Sequence, residues 1–166
     1  MAYSNLNLTD GVSIWSSAEV RHLEDGFQAI AMESEQYPGC FYRTVNGETE
    51  WLNPPMASGV EYKTTRRHMG QPVYCKVIEY TNTAAFGSDS GTTGKAQNVP
   101  HGISNLNMPV EVRGWYAGSY SLPYRKQAGG TLFIGQITST NIVLQSYQYA
   151  VDANKTWRFE IFYTKN

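Results

Sequence analysis

Between Gly114 and Tyr124 the sequence reads GWYAGSYSLPY, crowding Trp115, Tyr116, Tyr120 and Tyr124 among glycine and serine with no acid or base. Aromatic faces flanked by small polar residues suit recognition, because they offer contact area with little rotamer entropy to lose. Sugar rings present C–H faces that stack on such groups, so these four residues are the candidate saccharide contacts. The commoner use of aromatic strand residues is to fill a core or a subunit interface, and the sequence leaves both uses open.

Residues that could do covalent chemistry are sparse. There is no GxSxG elbow, HExxH helix, phosphate loop or GxGxxG turn. His22 lies among Arg21 and Glu24, where it reads as solvated. His68 follows Arg66 and Arg67, a basic trio that could hold an anion but reads better as a solvated hairpin tip. His101, in Val99-Pro100-His101-Gly102-Ile103, has apolar neighbours and no serine, cysteine or carboxylate at a catalytic spacing, so a structural imidazole bonded to backbone is expected. Glycoside hydrolysis needs two carboxyl groups about 5 to 10 Å apart in a cleft. Glu61, Glu79, Glu111 and Glu160 fall on strands, but alternation turns most of them to solvent. No catalytic residue is assigned, and the chain is expected not to be an enzyme. No convergent ligands suggest a metal, and no cofactor is expected. Cys40 and Cys75, the only cysteines, fit neither a disulfide framework nor a zinc site, so free thiols are expected.

The elements that must position these residues change type near Cys40. Ser16 and Glu19 form a capping box, followed by Val20, Leu23, Phe27 and Ile30 at a/d spacing, and Tyr37-Pro38-Gly39 ends the pattern. A short α-helix is predicted there. Its narrow stripe needs a partner, either its own domain or copies of itself, and these four residues are the candidate oligomerisation positions. Thereafter the period is two. Asn46-Gly47 is a strong hairpin signal between Cys40–Val45 and Glu48–Leu52, and Asn53-Pro54-Pro55 is a rigid break. Strands are predicted over 60–65, 73–80, 97–103, 110–115, 131–137, 141–147 and 157–163, with Tyr62, Trp157, Phe159 and Ile161 in the core. The fold class is therefore mainly β, an antiparallel, jelly-roll-like β-sandwich preceded by a short N-terminal helix. Three regions follow: a helical trimerisation or attachment segment at 1–39, a hairpin and Pro-rich connector at 40–58, and a sandwich at 59–166.

Composition narrows the partners. Among 166 residues, only 16% are charged, against about 25% in typical domains, while Ser, Thr, Asn and Gln supply 46 and tyrosine 12. The net charge is −1 and no basic stripe appears, which argues against nucleic-acid binding. No run approaches the roughly 20 apolar residues of a membrane span, so no membrane insertion is expected. The N-terminus lacks a signal segment, and synthesis in a reducing cytoplasm is expected.

Three stretches resemble a module of tail-fibre and receptor-binding proteins of bacteriophages and prophages. These are Glu50-Trp51-Leu52-Asn53-Pro54-Pro55-Met56, Gly59-Val60-Glu61-Tyr62-Lys63-Thr64-Thr65-Arg66-Arg67 and Gly70-Gln71-Pro72-Val73-Tyr74-Cys75-Lys76. The family pattern runs EWINPPM, GVEYRTTERY, NGKPVYxK and a later V-x-HGI, here Val99 to Ile103. Thr140-Asn141-Ile142-Val143 and Phe162-Tyr163-Thr164-Lys165 are similar to its final strands, and Leu8 to Gly26 to an N-terminal element of phage structural proteins. His68-Met69 and Cys75 depart from the usual residues. The resemblance implies a trimeric β-sandwich at the distal end of a fibre or baseplate protein, with no inherited enzymatic or binding residues. It implies a homotrimer, host surface polysaccharide or cell-wall glycan, and other phage tail or baseplate proteins as partners. Its location would be the virion, assembled in the bacterial cytoplasm. Three equal sites could raise avidity by about 10² to 10⁴. The rival expectations are a purely structural virion component (a fibre cap, head or collar decoration) and a polysaccharide-degrading tail-spike fragment.

Overall fold

In the computed structural model the described residues are 31–88, 95–118, 120–125 and 129–166. The proposed helix, with Val20, Leu23, Phe27 and Ile30, lies outside them. Within them the chain is mainly β and contains no helix. The strands are β1 (Met32–Glu33), β2 (Phe41–Val45), β3 (Glu48–Trp51), β4 (Glu61–His68), β5 (Gln71–Thr81), β6 (Phe86–Ser88) and β7 (Lys95–Pro100). They continue with β8 (Leu106–Tyr116), β9 (Tyr120–Ser121), β10 (Tyr124–Arg125), β11 (Thr131–Ile137), β12 (Asn141–Tyr147), β13 (Tyr149–Val151) and β14 (Thr156–Lys165).

An eight-stranded sheet has the order β1-β2-β3-β4-β5-β14-β8-β9, a four-stranded sheet the order β10-β11-β12-β7, and β13 pairs with β6. Pairing between the strands is antiparallel except at the β3–β4 junction, where Trp51 meets Thr64, and an isolated parallel bridge joins Ser58 to Val77. Tight turns set the hairpin registers. Asn46 and Gly47 both adopt positive φ (51° and 77°) between the paired Val45 and Glu48, the geometry whose twist matches the flanking strands. Met69 and Gly70 repeat it (49° and 79°) between His68 and Gln71, which puts a methionine where glycine or asparagine is usual.

β14 organises the centre. Trp157, Phe159, Ile161 and Tyr163 alternate inward, and all are fully buried. Their register partners Tyr80, Ile78 and Tyr74 on β5, and Tyr116, Gly114 and Val112 on β8, share that face. Leu132, Ile142, Leu144 and Val99 of the smaller sheet join them in one apolar cluster. Tyr62, predicted as core, is also buried, on the other face of the large sheet opposite Cys75. Gly114 is glycine for space. A Cβ there would sit 2.9 Å from Leu122 Cδ1 and 3.2 Å from both Ile134 and Phe159 Cδ1. Its bare backbone lets the chain after β9 fold back, with the Leu122 amide donating to the Gly114 carbonyl at 2.8 Å.

Candidate functional site

The segment after Gly114, whose Gly/Ser-rich composition reads as a loop, is instead built into strand ends. Tyr116 closes β8, paired with Trp157 on one side and Tyr120 on the other. The chain crosses a cis Leu122–Pro123 bond, and Tyr124 enters β10 opposite Leu132. The pleat then gathers aromatic rings at one end of the body. Tyr116 lies 4.6 Å from Trp157, 6.2 Å from Tyr120 and 6.5 Å from Tyr124, measured between ring centroids. Tyr120 and Tyr124 are 4.7 Å apart, and Tyr149 sets its ring edge-on to Tyr124 at 5.6 Å. Exposure grades along this cluster: Tyr116 is 6% exposed and Tyr120 47%. Burial, reinforced by the Tyr149 phenol, pushes the Tyr116 phenol well above its ordinary range. That phenol is a neutral hydrogen-bonding group at any physiological pH.

Of the four sequence candidates, Tyr116, Tyr120 and Tyr124 come together. Trp115 does not. It follows the pleat to the opposite face of β8, where its register neighbours are Arg158 and Ser121. Tyr149 joins the cluster without having been singled out. The sequence signal that could have found it is the Tyr147-Gln148-Tyr149 run, which ends a strand as Trp115-Tyr116 does. Beneath the tyrosines, buried Asn82 fixes the neighbouring loop. Its amide donates to the carbonyls of Ala84 and Asp152 (both 2.8 Å) and its oxygen accepts from the Lys155 amide at 2.9 Å.

Next to the cluster, the outward face of β11 and β12 holds a shallow depression of about 330 Å³, lined by Thr131, Phe133, Gln145, Ser146 and Tyr147. Two cross-strand pairs on the same face build it, Thr131 with Tyr147 and Phe133 with Gln145. Gly135, at a register shift in β11, has no side chain to occupy the next outward position. A Cβ there would fall 2.6 Å from the Gln145 amide carbon, so the Gln145 side chain lies across the bare glycine.

The remaining chemical candidates are tied up structurally. His101 is 2% exposed; its Nε2 is 3.1 Å from the Thr138 carbonyl and its Nδ1 accepts from the Ile103 amide at 3.0 Å. It is the backbone-bonded imidazole expected from the sequence. Arg66 and Arg67 are not merely a solvated tip: Arg66 pairs with Glu111 at 3.1 Å and Arg67 with Glu50 at 2.6 Å. Of the four strand glutamates, Glu61 meets Tyr163 and Lys165, Glu111 meets Arg66 and Arg113, and Glu79 and Glu160 both face Arg158. Arg113, then Arg66, hold the Glu111 carboxyl below the usual range, so it serves poorly as a proton donor. Cys40 and Cys75 are both free thiols. Burial, then the Glu160 charge, pushes the Cys75 thiol up to about 12, which makes it inert. Among the described residues, no three His, Cys, Asp or Glu side chains gather as metal ligands, and no helix is long and apolar enough to cross a membrane.

No family model, curated protein or solved structure matches the chain. What the distinctive sequence stretches do is therefore read from their own contacts. Glu50 is 1% exposed and receives Arg43 at 3.0 Å, Arg67 at 2.6 Å and Lys63 at 3.3 Å. Burial alone would raise its carboxyl; these three donors outweigh that and hold it below the usual value. Trp51 packs edge-on to Tyr62 at 5.7 Å. Asn53 accepts from the Phe41 amide and donates to the Gly39 carbonyl, both at 2.6 Å. These residues hold β2, β3 and β4 in register.

Proposed function

We propose that the chain is a receptor-binding module of a bacteriophage or prophage tail fibre. In this reading it is a trimeric β-sandwich that attaches a virion to saccharide on the host surface and performs no catalysis. The tyrosine cluster carries the reading. Tyr120 is 47% exposed and packs against Tyr124 with ring centroids 4.7 Å apart and planes tilted by 49°, so an aromatic face is held at the surface by the rings beneath it. A ring already packed against its neighbours loses little entropy when a sugar's C–H face lies on it. The resemblance of Glu50–Lys76 and Val99–Ile103 to the phage module supports the same conclusion, as does a surface solvated by neutral polar groups. Fibre or baseplate proteins are the partners on the virion side.

Mass measurement in solution tests the assembly, and a monomer at micromolar concentration overturns the trimer. Binding of fluorescently labelled protein to host cell walls, competed by soluble wall polysaccharide, tests the adhesin role. The absence of binding overturns it. A second reading, a virion component without a receptor, is favoured by the burial of Tyr116 at 6%. It expects Tyr120→Ala to lower the melting temperature, whereas the adhesin reading expects it to lower cell-wall binding.

A further inference from the structure

We propose that the depression between β11 and β12 is a binding subsite for one neutral pyranose ring. The inference rests on the adhesin reading and names where its ligand sits. The chemistry follows from the lining. Phe133 and Tyr147 give ring surfaces, while Thr131 contributes a hydroxyl and Gln145 an amide that both donates and accepts. A pyranose presents the same mixture, C–H faces edged by hydroxyls. The two pairs run diagonally, with a ring and a polar group on each strand, so both strands offer both kinds of contact. The bare backbone of Gly135 gives the Gln145 side chain a seat, which orients the amide before any ligand arrives. Among the described residues no charged side chain lines the depression; Arg125, opposite Thr131 in register, lies one strand beyond it. At about 330 Å³ it stands at the small end of ligand sites, the size for one ring and not for a chain. A longer glycan would continue over β10 toward Tyr124 and Tyr120.

Amide chemical shifts of the full-length protein, titrated to high millimolar concentrations, test this. The probes are methyl α-D-glucopyranoside, methyl β-D-galactopyranoside and N-acetylglucosamine, with glycerol as the hydroxyl control. The expected result is saturable shifts at Thr131, Phe133, Gln145 and Tyr147 for at least one sugar and none for glycerol. Tyr147→Ala, an exposed position that leaves the core intact, should weaken binding about fivefold, and Gln145→Ala by a similar factor. Tyr120→Ala should change it less than about twofold, since one ring does not reach that far. Saturable shifts confined to Tyr120 and Tyr124 overturn the subsite and leave the adhesin reading standing. If methyl β-D-glucuronide binds much more tightly and Arg125→Gln abolishes the gain, the neutral assignment is overturned. Saturable shifts with none of these sugars overturn the subsite. Failure of labelled protein to bind host cell walls, measured separately, overturns the adhesin reading itself.

Discussion

The flank formed by β2 to β5 and the tyrosine end use polar side chains in opposite ways. On the flank, each distinctive residue is spent inside the molecule. Glu50 collects three cations, Asn53 closes on backbone at both ends of its amide, and Arg66 and Arg67 cross to partners on other strands. At the tyrosine end the partners are other rings, and the outermost ring keeps half its surface free. The residues that carry the resemblance to phage fibre modules are therefore those that hold strands in register. The proposed ligand surface sits outside the stretches that carry that resemblance. Recognition of such a chain by its motifs informs on its folding first and on its ligand only indirectly.

The comparison can be broken most forcefully at the strand both regions share. Trp157→Ala removes the fully buried ring on which Tyr116 rests and should cost about 3 to 5 kcal/mol, measured by urea unfolding. If the loss is much smaller, the tyrosine end is not anchored through the core. His101→Ala strands the Ile103 amide and the Thr138 carbonyl and should cost about 2 to 3 kcal/mol. Saccharide binding, measured under folding conditions, should be unchanged. Glu50→Gln should cost about 2 kcal/mol at neutral pH, discounted because Arg43 and Arg67 remain partly solvated. Its folded carboxyl lies below the ordinary value of 4.5, so its stabilisation is fully present above that value. The stabilisation disappears as pH falls through the lower folded value. Unfolding curves of wild type and Glu50→Gln should therefore converge under acid, and a gap that stays constant to low pH contradicts the hub. The smallest stability effect belongs to Tyr120→Ala, under about 1 kcal/mol in thermal melts, together with reduced cell-wall binding. Trp115→Ala, on the other face, should leave that binding intact; equal losses from both would dissolve the distinction between the faces.

Much of the β architecture was legible because it rests on local signals. Alternation through Trp157, Phe159 and Ile161 and the Asn46-Gly47 turn lead directly to buried rings and a hairpin. The backbone role of His101 was legible for the same reason, an isolated imidazole among apolar neighbours. The candidate site was legible only in part. Tyr116, Tyr120 and Tyr124 are found by composition, but the segment reads as a loop because β9 and β10 are two residues each. Strict alternation, extended one residue further along β8, would have separated Trp115 from Tyr116. Tyr149, the Gln145 seat and the Glu50 cluster are assembled across strands distant in sequence, and no local pattern encodes such pairings. The positive φ of Met69 runs against residue preference and is held by the hairpin itself.

The central position of β14 has a consequence for the order of events during synthesis. β5 and β8 are joined to one another only through β14, which pairs along nearly its whole length with both. Until residues 156–165 are made, no strand pairing ties β5 to β8. Their inner faces stay open to water and to other nascent chains until residues 156–165 emerge. Closure of the large sheet is therefore a long-range event that waits on β14.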